Sequence, residues 1–172
     1  MPKRPLVCDT TVLLYLDRIG QLHLLRALFE PVCVPDPVRL ELDMGRLLRP
    51  DTVDPSRLGW ISMAPVGQDE MDALPLNRLG EGERAVIAYA KSHKEYLAGL
   101  DDLQARMLAE AVGLRVVGII GVLFRAKREG LLPTVRSQLD ALRLAGFRLT
   151  EDLYQGSLQL AGEETDRVAD IL

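Results

Sequence analysis

Short apolar runs that alternate with helix-period segments predict an α/β domain with a mostly parallel sheet. Leu6-Val7-Cys8 and Val32-Cys33-Val34 have strand length, and the stretches between such runs repeat apolar residues at helical spacing. A chain of 172 residues, 48% of them apolar, is enough for one core. With 27% charged residues and that apolar content, intrinsic disorder is not expected.

The elements follow in order. Leu6-Val7-Cys8 enters Asp9-Thr10-Thr11, after which Val12, Leu13, Leu14, Leu16 and Ile19 recur at helical spacing until Gly20 stops the pattern. A second helix is read through Leu22, Leu25, Leu28 and Phe29, and its apolar side is a candidate dimer interface as well as a candidate core face. After the strand Val32-Cys33-Val34, Pro35-Asp36-Pro37 predicts a capped helix with proline at its first position, carrying Val38, Leu40, Glu41 and Leu42. Gly45 to Pro65 reads as irregular, with one strand at Trp60-Ile61-Ser62-Met63.

Gly80-Glu81-Gly82-Glu83 opens a helix whose apolar part is Ala85 to Ala90, with glutamates where the helix dipole favours them. Tyr96 to Leu100 is a strand ending in Asp101-Asp102, Leu103 to Val112 a helix, and Arg115 to Ile119 another strand. Helices at Gly121–Arg128, Thr134–Ala145 and Thr150–Leu160 complete the pattern, broken at Gly130, Pro133 and Gly146.

Composition excludes several classes. The longest apolar or glycine run, Val116 to Phe124, is nine residues, whereas a spanning helix needs about 20. Asp9 interrupts the N-terminal apolar stretch, so no secretory h-region is expected and a cytoplasmic protein is the default. Cys8 and Cys33 lie in apolar runs away from His23 and His93, which is not a zinc pattern. The net charge of −4 is unevenly placed. From Arg115 to Arg148, seven Lys or Arg stand against Glu129 and Asp140; from Thr150 to Leu172, six acids stand against Arg167.

Parallel α/β sheets place their sites at the carboxyl ends of the strands, which is where Asp9 and the pair Asp101 and Asp102 fall. Glu41 lies on the helical row Val38, Glu41, Leu42, expected to be buried, and Glu83 lies in the first turn of another helix. Oxygen donors without nitrogen or sulfur suit a hard cation such as Mg²⁺ or Mn²⁺. The same acids can serve as helix caps or dipole partners, and a capping aspartate can also bind metal. Thr11 stands where a haloacid-dehalogenase-type phosphatase needs a second Asp, which sets that chemistry aside.

The segment LVCDTTVLLYLDRIGQLHLLRALFEPVCVPDPVRLEL resembles the opening of a PIN domain, the metal-dependent ribonuclease fold that includes the VapC toxins. GEGERAVIAYA, LDDLQARMLAEAVGLRVVGIIGVLFRAKREGLLP and LDALRLAGFRLTEDLY are similar to a mostly uncharacterised prokaryotic branch of those proteins. The resemblance implies a PIN-like three-layer α/β/α fold, with residues 1–162 a single nuclease domain and 163–172 an acidic C-terminal extension. It implies a Mg²⁺- or Mn²⁺-dependent endoribonuclease whose catalytic acids are Asp9, Glu41, Glu83 and Asp102. Metal ligation falls to those four and Asp101, with Thr10 and Thr11 in support. Many PIN toxins carry Thr or Ser where Leu100 stands, and the branch often has Thr in place of Ile119.

Arg84 and Arg106 are candidate contacts to RNA phosphates, with a surface ion pair as the structural alternative for both, and Arg125, Lys127 and Arg128 would extend that track if they face the same cleft. The resemblance further implies an RNA substrate, a homodimer, a small DNA-binding antitoxin as partner and no membrane. Its alternatives are a cellular RNA-processing nuclease or a catalytically silent protein-binding module. The four proposed ligands account for the whole net charge of −4, so an acidic chain remains compatible with RNA. Weak RNA binding in the absence of metal is expected.

Overall fold

The computed structural model describes residues 2–75 and 78–164. Five parallel strands form the sheet: β1 (Arg4–Cys8), β2 (Phe29–Pro35), β3 (Ile61–Ala64), β4 (Leu97–Gly99) and β5 (Val116–Val117). Their order is β3-β2-β1-β4-β5, so the chain builds outward from β1 on one side and then returns to add β4 on the other. That reversal makes a topological switch point between β1 and β4, where side chains from two neighbouring strand ends face an open crevice.

Helices on both faces complete a three-layer α/β/α fold. Between β1 and β2 lie α1 (Thr10–Arg18) and α2 (His23–Leu28), and α3 (Asp36–Leu48) follows β2. A 3-10 turn at Pro55–Arg57 precedes β3, and α4 (Gln68–Asp72) and α5 (Glu81–Ser92) follow it. After β4 come α6 (Leu103–Ala111), then β5, α7 (Ile119–Arg128), α8 (Arg136–Leu144) and α9 (Glu151–Ala161). Among the described residues, no helix is long and apolar enough to cross a membrane.

The core follows the apolar periodicity. Leu6, Val7 and Cys8 are buried on the central strand; Val12, Leu13 and Leu16 of α1 and Ala85 to Ala90 of α5 cover it. α5 packs across β1, β2 and β4, and its alanines permit that close approach over a glycine-containing strand.

Local differences from the sequence expectation have identifiable causes. Pro35, in extended conformation, is the N-cap of α3, so Pro37 occupies the second helical position rather than the first. That helix runs on to Leu48 through the segment expected to be irregular, and Gly45 packs against Thr52 at a spacing a Cβ would meet at 3.7 Å. Phe29 belongs to β2, not to the preceding helix. β5 is shortened because Gly118 is already the N-cap of α7, which starts at Ile119. The candidate dimer face at Leu22–Phe29 is corrected: Leu24, Leu25, Leu28 and Phe29 are fully buried, with α2 packed against β2 and α7. Of the expected acidic extension, residues 165–172 lie outside the described residues. Glu163, its first residue, accepts from the backbone N–H groups of Val135 and Arg136.

Candidate active site

Asp9 and the pair Asp101–Asp102 leave adjacent strands at the switch point. β1 and β4 pair in register, Cys8 opposite Gly99, and the Asp9 N–H donates to the Gly99 carbonyl at 3.0 Å. Asp9 is buried and caps α1, its Oδ1 accepting from the Val12 N–H at 3.0 Å. Burial pushes its carboxyl well above the ordinary range against that hydrogen bond, and the nearby charges of Asp101, Glu83 and Glu41 push it further.

Glu41 is exposed as a residue, contrary to the expected buried row, because Val38 and Leu42 face the core while position 41 lies on the helix flank. Its carboxylate is nonetheless anchored. Oε1 accepts from the Gly82 N–H at 3.1 Å, and Oε2 accepts from the Thr10 hydroxyl. Thr10 thus joins the start of α1 to α3, while Thr11 follows in the same first turn. Gly82 was not singled out as a functional residue in the sequence. A Cβ there would lie 2.7 and 2.9 Å from the two Glu41 oxygens, so the carboxylate occupies space that any other residue fills. The available signal was a glycine inside a helix, where it costs about 1 kcal/mol relative to alanine.

Glu83 completes a capping box at the start of α5, its Oε2 accepting from the Gly80 N–H at 3.1 Å. Burial raises its carboxyl against that bond, and Asp102 and Glu41 add to the rise. The two aspartates after β4 part company. Asp102 caps α6, its Oδ1 accepting from Ala105 N–H at 2.9 Å. Asp101 is turned to α7: both its carboxylate oxygens lie 3.1 Å from the Ile119 N–H. Burial lifts Asp101 to about 6, against the Ile119 hydrogen bond and the charge of Arg106. A Cβ on Gly118 would lie 2.6 Å from both Asp101 Oδ1 and Arg106 Nη1, so Gly118 admits this pair to the mouth of α7.

The donor set is all oxygen and suits a hard divalent cation. Among the described residues, Asp9 Oδ2, Glu83 Oε1 and Asp102 Oδ2 carry no protein hydrogen bond. Mutual repulsion of these carboxylates is the electrostatic state a cation would relieve. Among the described residues, no three His, Cys, Asp or Glu side chains stand close enough together to form a ready ion site.

The basic candidates divide. Arg106 stays at the acidic edge, its Nη1 3.5 Å from the Leu100 carbonyl. It lines a cleft of about 770 Å³ together with Asp101, Ile120, Phe124, Phe147 and Arg148. Arg84 points elsewhere, donating to the Met71 carbonyl at 2.6 Å and the Pro75 carbonyl at 3.5 Å. Arg125, Lys127 and Arg128 are not brought to the acids, because α7 begins beside Asp101 and runs away from it. Arg125 lies over the Phe29 ring, at the opposite end of the sheet, and Lys127 pairs with Glu163 at 2.7 Å.

The family model DUF3368, described as a PIN domain, matches residues 5–163. Among solved structures, the chain is similar to one described as the structure of the PIN domain endonuclease Utp24, at 13% identity and a TM-score of 0.47, covering 66% of this chain and 84% of that one. No curated protein matches the sequence. With a family match that spans nearly its whole length, the chain belongs to the PIN-domain family of nucleases.

Proposed function

We propose that this protein is a divalent-metal-dependent endoribonuclease that hydrolyses RNA phosphodiester bonds, and that it is the toxin of a toxin-antitoxin pair. Family membership supports a hydrolase acting on nucleic acids. The observation that carries the finer reading is the collection of Asp9, Glu41, Glu83 and Asp102 at the carboxyl edge of the sheet, where their like charges raise Asp9 and Glu83.

In this reading those four residues hold Mg²⁺ or Mn²⁺. The cation, when bound, supplies positive charge that attracts and polarises a phosphodiester. Thr10 fixes the direction of Glu41 through its hydroxyl, and the Gly82 N–H fixes the other oxygen. Asp101 braces the start of α7 through Ile119 and acts as a positioning residue beside the acids. Arg106, at the rim of the cleft, binds a phosphate oxygen of the RNA and orients the strand. With 5% aromatic residues, recognition rests on phosphate and shape rather than on base stacking.

Purified protein is expected to cleave RNA with Mn²⁺ and to lose that activity on Asp9→Asn. Cleavage that survives EDTA, or that is unchanged in the variant, sinks the nuclease reading. The toxin assignment is tested separately: induction should arrest growth, and co-expression of a small DNA-binding protein encoded beside the gene should relieve the arrest. A second reading, a catalytically silent protein-binding module, is favoured by one observation. Asp9, Glu83 and Asp102 each already serve as helix caps. Titration calorimetry showing no heat with millimolar Mn²⁺ would select it.

A further inference from the structure

We infer that the cleft between α7 and α9 binds one unstacked base of the RNA strand, and that Ser157 reads the polar edge of that base. The cleft, of about 770 Å³, has walls of Ile120, Phe124, Phe147 and Leu153, and Arg106, Arg148, Asp101 and Asp152 stand around it. Apolar walls with a few placed polar groups are the usual make-up of a small-ligand pocket. Two cations against two acids leave no excess charge, which suits a neutral, flat base better than a bare anion.

Ser157 itself points to a ligand. It is 2% exposed, lines the cleft, and its hydroxyl has no hydrogen-bond partner among the described residues. Every fully enclosed side-chain oxygen or nitrogen among those residues is partnered, so the Ser157 oxygen is not sealed in and opens to the cleft. An unbonded hydroxyl in so apolar a place is unfavourable, and a base edge can satisfy it as donor or as acceptor. Gly156, beside it in α9, also lines the cleft. Glycine is a poor helix former, and a Cβ at this position would meet nothing within 4 Å, so no contact inside the chain calls for it. Its bare backbone leaves the cleft open for a ligand to approach.

The cleft opens at the acidic edge. Asp101 lines it while accepting from the first N–H of α7, and Arg106 lines it from the same edge. A strand with a phosphate on Arg106 therefore brings the neighbouring base to the mouth of the cleft. Bases of single-stranded RNA can turn out of the strand and enter such a pocket. Arg148 is exposed and in no ion pair among the described residues, so it can take a further phosphate of the same strand. The base is held by fit and by one hydroxyl, which is recognition by shape and not by a run of stacking aromatics.

Amide NMR of the protein in EDTA with each of the four nucleoside monophosphates separates binding from cleavage, because a monophosphate has no internucleotide bond. Nucleotides at millimolar concentration should shift the Gly118 and Ser157 amides, with affinities that differ between bases, whereas ribose phosphate, which lacks a base, should not. Gly156→Leu should fill the cleft and abolish those shifts while folding at least as well, since leucine favours a helix. Ser157→Ala removes a hydroxyl bonded to nothing, so the melting temperature should hold while the four affinities draw to within about 2-fold of one another. Arg148→Ala should weaken all four alike, by about 3- to 10-fold. No shift with any nucleotide, equal shifts from ribose phosphate, normal binding by Gly156→Leu, or an unchanged ranking of bases in Ser157→Ala overturns the inference. The pocket's part in cleavage rests on the nuclease reading, but its occupancy does not: nucleotide binding by a protein that cuts no RNA would sink that reading and leave the pocket standing.

Discussion

The two ends of the parallel sheet carry charge in opposite ways. At the carboxyl edge, Asp9, Glu83 and Asp101 are all pushed above their ordinary range by burial, and Asp9 and Glu83 are raised further by one another's neighbours. At the far end, charges are matched. Arg125 pairs with Glu129 at 3.2 Å, Lys127 with Glu163 at 2.7 Å, and Glu163 is held low despite burial by Lys127 and two backbone N–H groups. Matched pairs fasten α7, α8 and the segment after α9 together. Unmatched carboxylates destabilise the fold locally, and concentrations of such groups mark functional sites.

The largest effect that sharpens this contrast is on chemistry. On the proposed nuclease reading, Asp9→Asn should lower RNA cleavage by at least about 100-fold, while the metal-free melting temperature should stay level or rise. Asn retains an acceptor for the Val12 N–H and removes a buried charge that its neighbours repel. A strong loss of stability would place Asp9 with the structural charges instead.

Gly82→Ala is the next test. Its Cβ collides with the far end of the flexible Glu41 side chain, so Glu41 swings away and cleavage should fall about 10- to 100-fold. Stability should change little or rise by up to about 1 kcal/mol, because alanine favours the helix. Chemical denaturation beside a cleavage assay separates the two outcomes.

At the far end the order reverses. Glu163→Ala should cost about 2 kcal/mol of stability, from a carboxylate that accepts from Lys127, Val135 and Arg136. Specific cleavage activity at low temperature should remain near wild type. An activity loss larger than the stability loss would join this end to the site.

The smallest effect is a difference in pH slope. Where a folded carboxyl is raised, the native state binds more protons than the unfolded one, so its contribution is greatest at low pH and is lost as pH rises. For Asp101 the window runs from its ordinary value of 3.8 to about 6. Melting in EDTA should therefore show a destabilising trend across that window that Asp101→Asn flattens. Glu163 has the opposite sign: its contribution is present above its ordinary value of 4.5 and fades as pH falls through its lowered folded value. Glu163→Gln should flatten only that acid-side loss.

Much of the acidic edge was legible in the chain because it is local. Asp9 ends an apolar strand and precedes a helical pattern, and the same grammar exposes Asp101 and Asp102. The division of labour between those two was not legible, since it depends on Ile119, which approaches Asp101 only after β5 and α7 are in place. The failure of the basic track has a similar cause. Arg125, Lys127 and Arg128 lie on the helix whose first residue meets Asp101, but α7 advances about 1.5 Å per residue away from the edge.

The Leu22–Phe29 and Leu40–Leu48 segments make the same point for apolar residues. Both carry apolar residues at helical spacing, the second running past Gly45 into a stretch that reads as irregular; the first is packed between β2 and α7, while the second turns its apolar ridge outward. Periodicity states that a helix has a greasy side and is silent on what covers it.

By itself, then, the amino-acid order determined the α/β class, the mostly parallel sheet and the acids Asp9, Asp101 and Asp102 that follow its strands, because strand, helix and cap signals act over a few neighbouring residues. Tertiary structure alone decided that Arg106 stays with the acids while Arg84 and the α7 cations leave, that Gly82 makes room for Glu41, and that α3 keeps an open apolar face. Those outcomes depend on distances between segments far apart in the chain, which strand order and helix direction set and which no local pattern records.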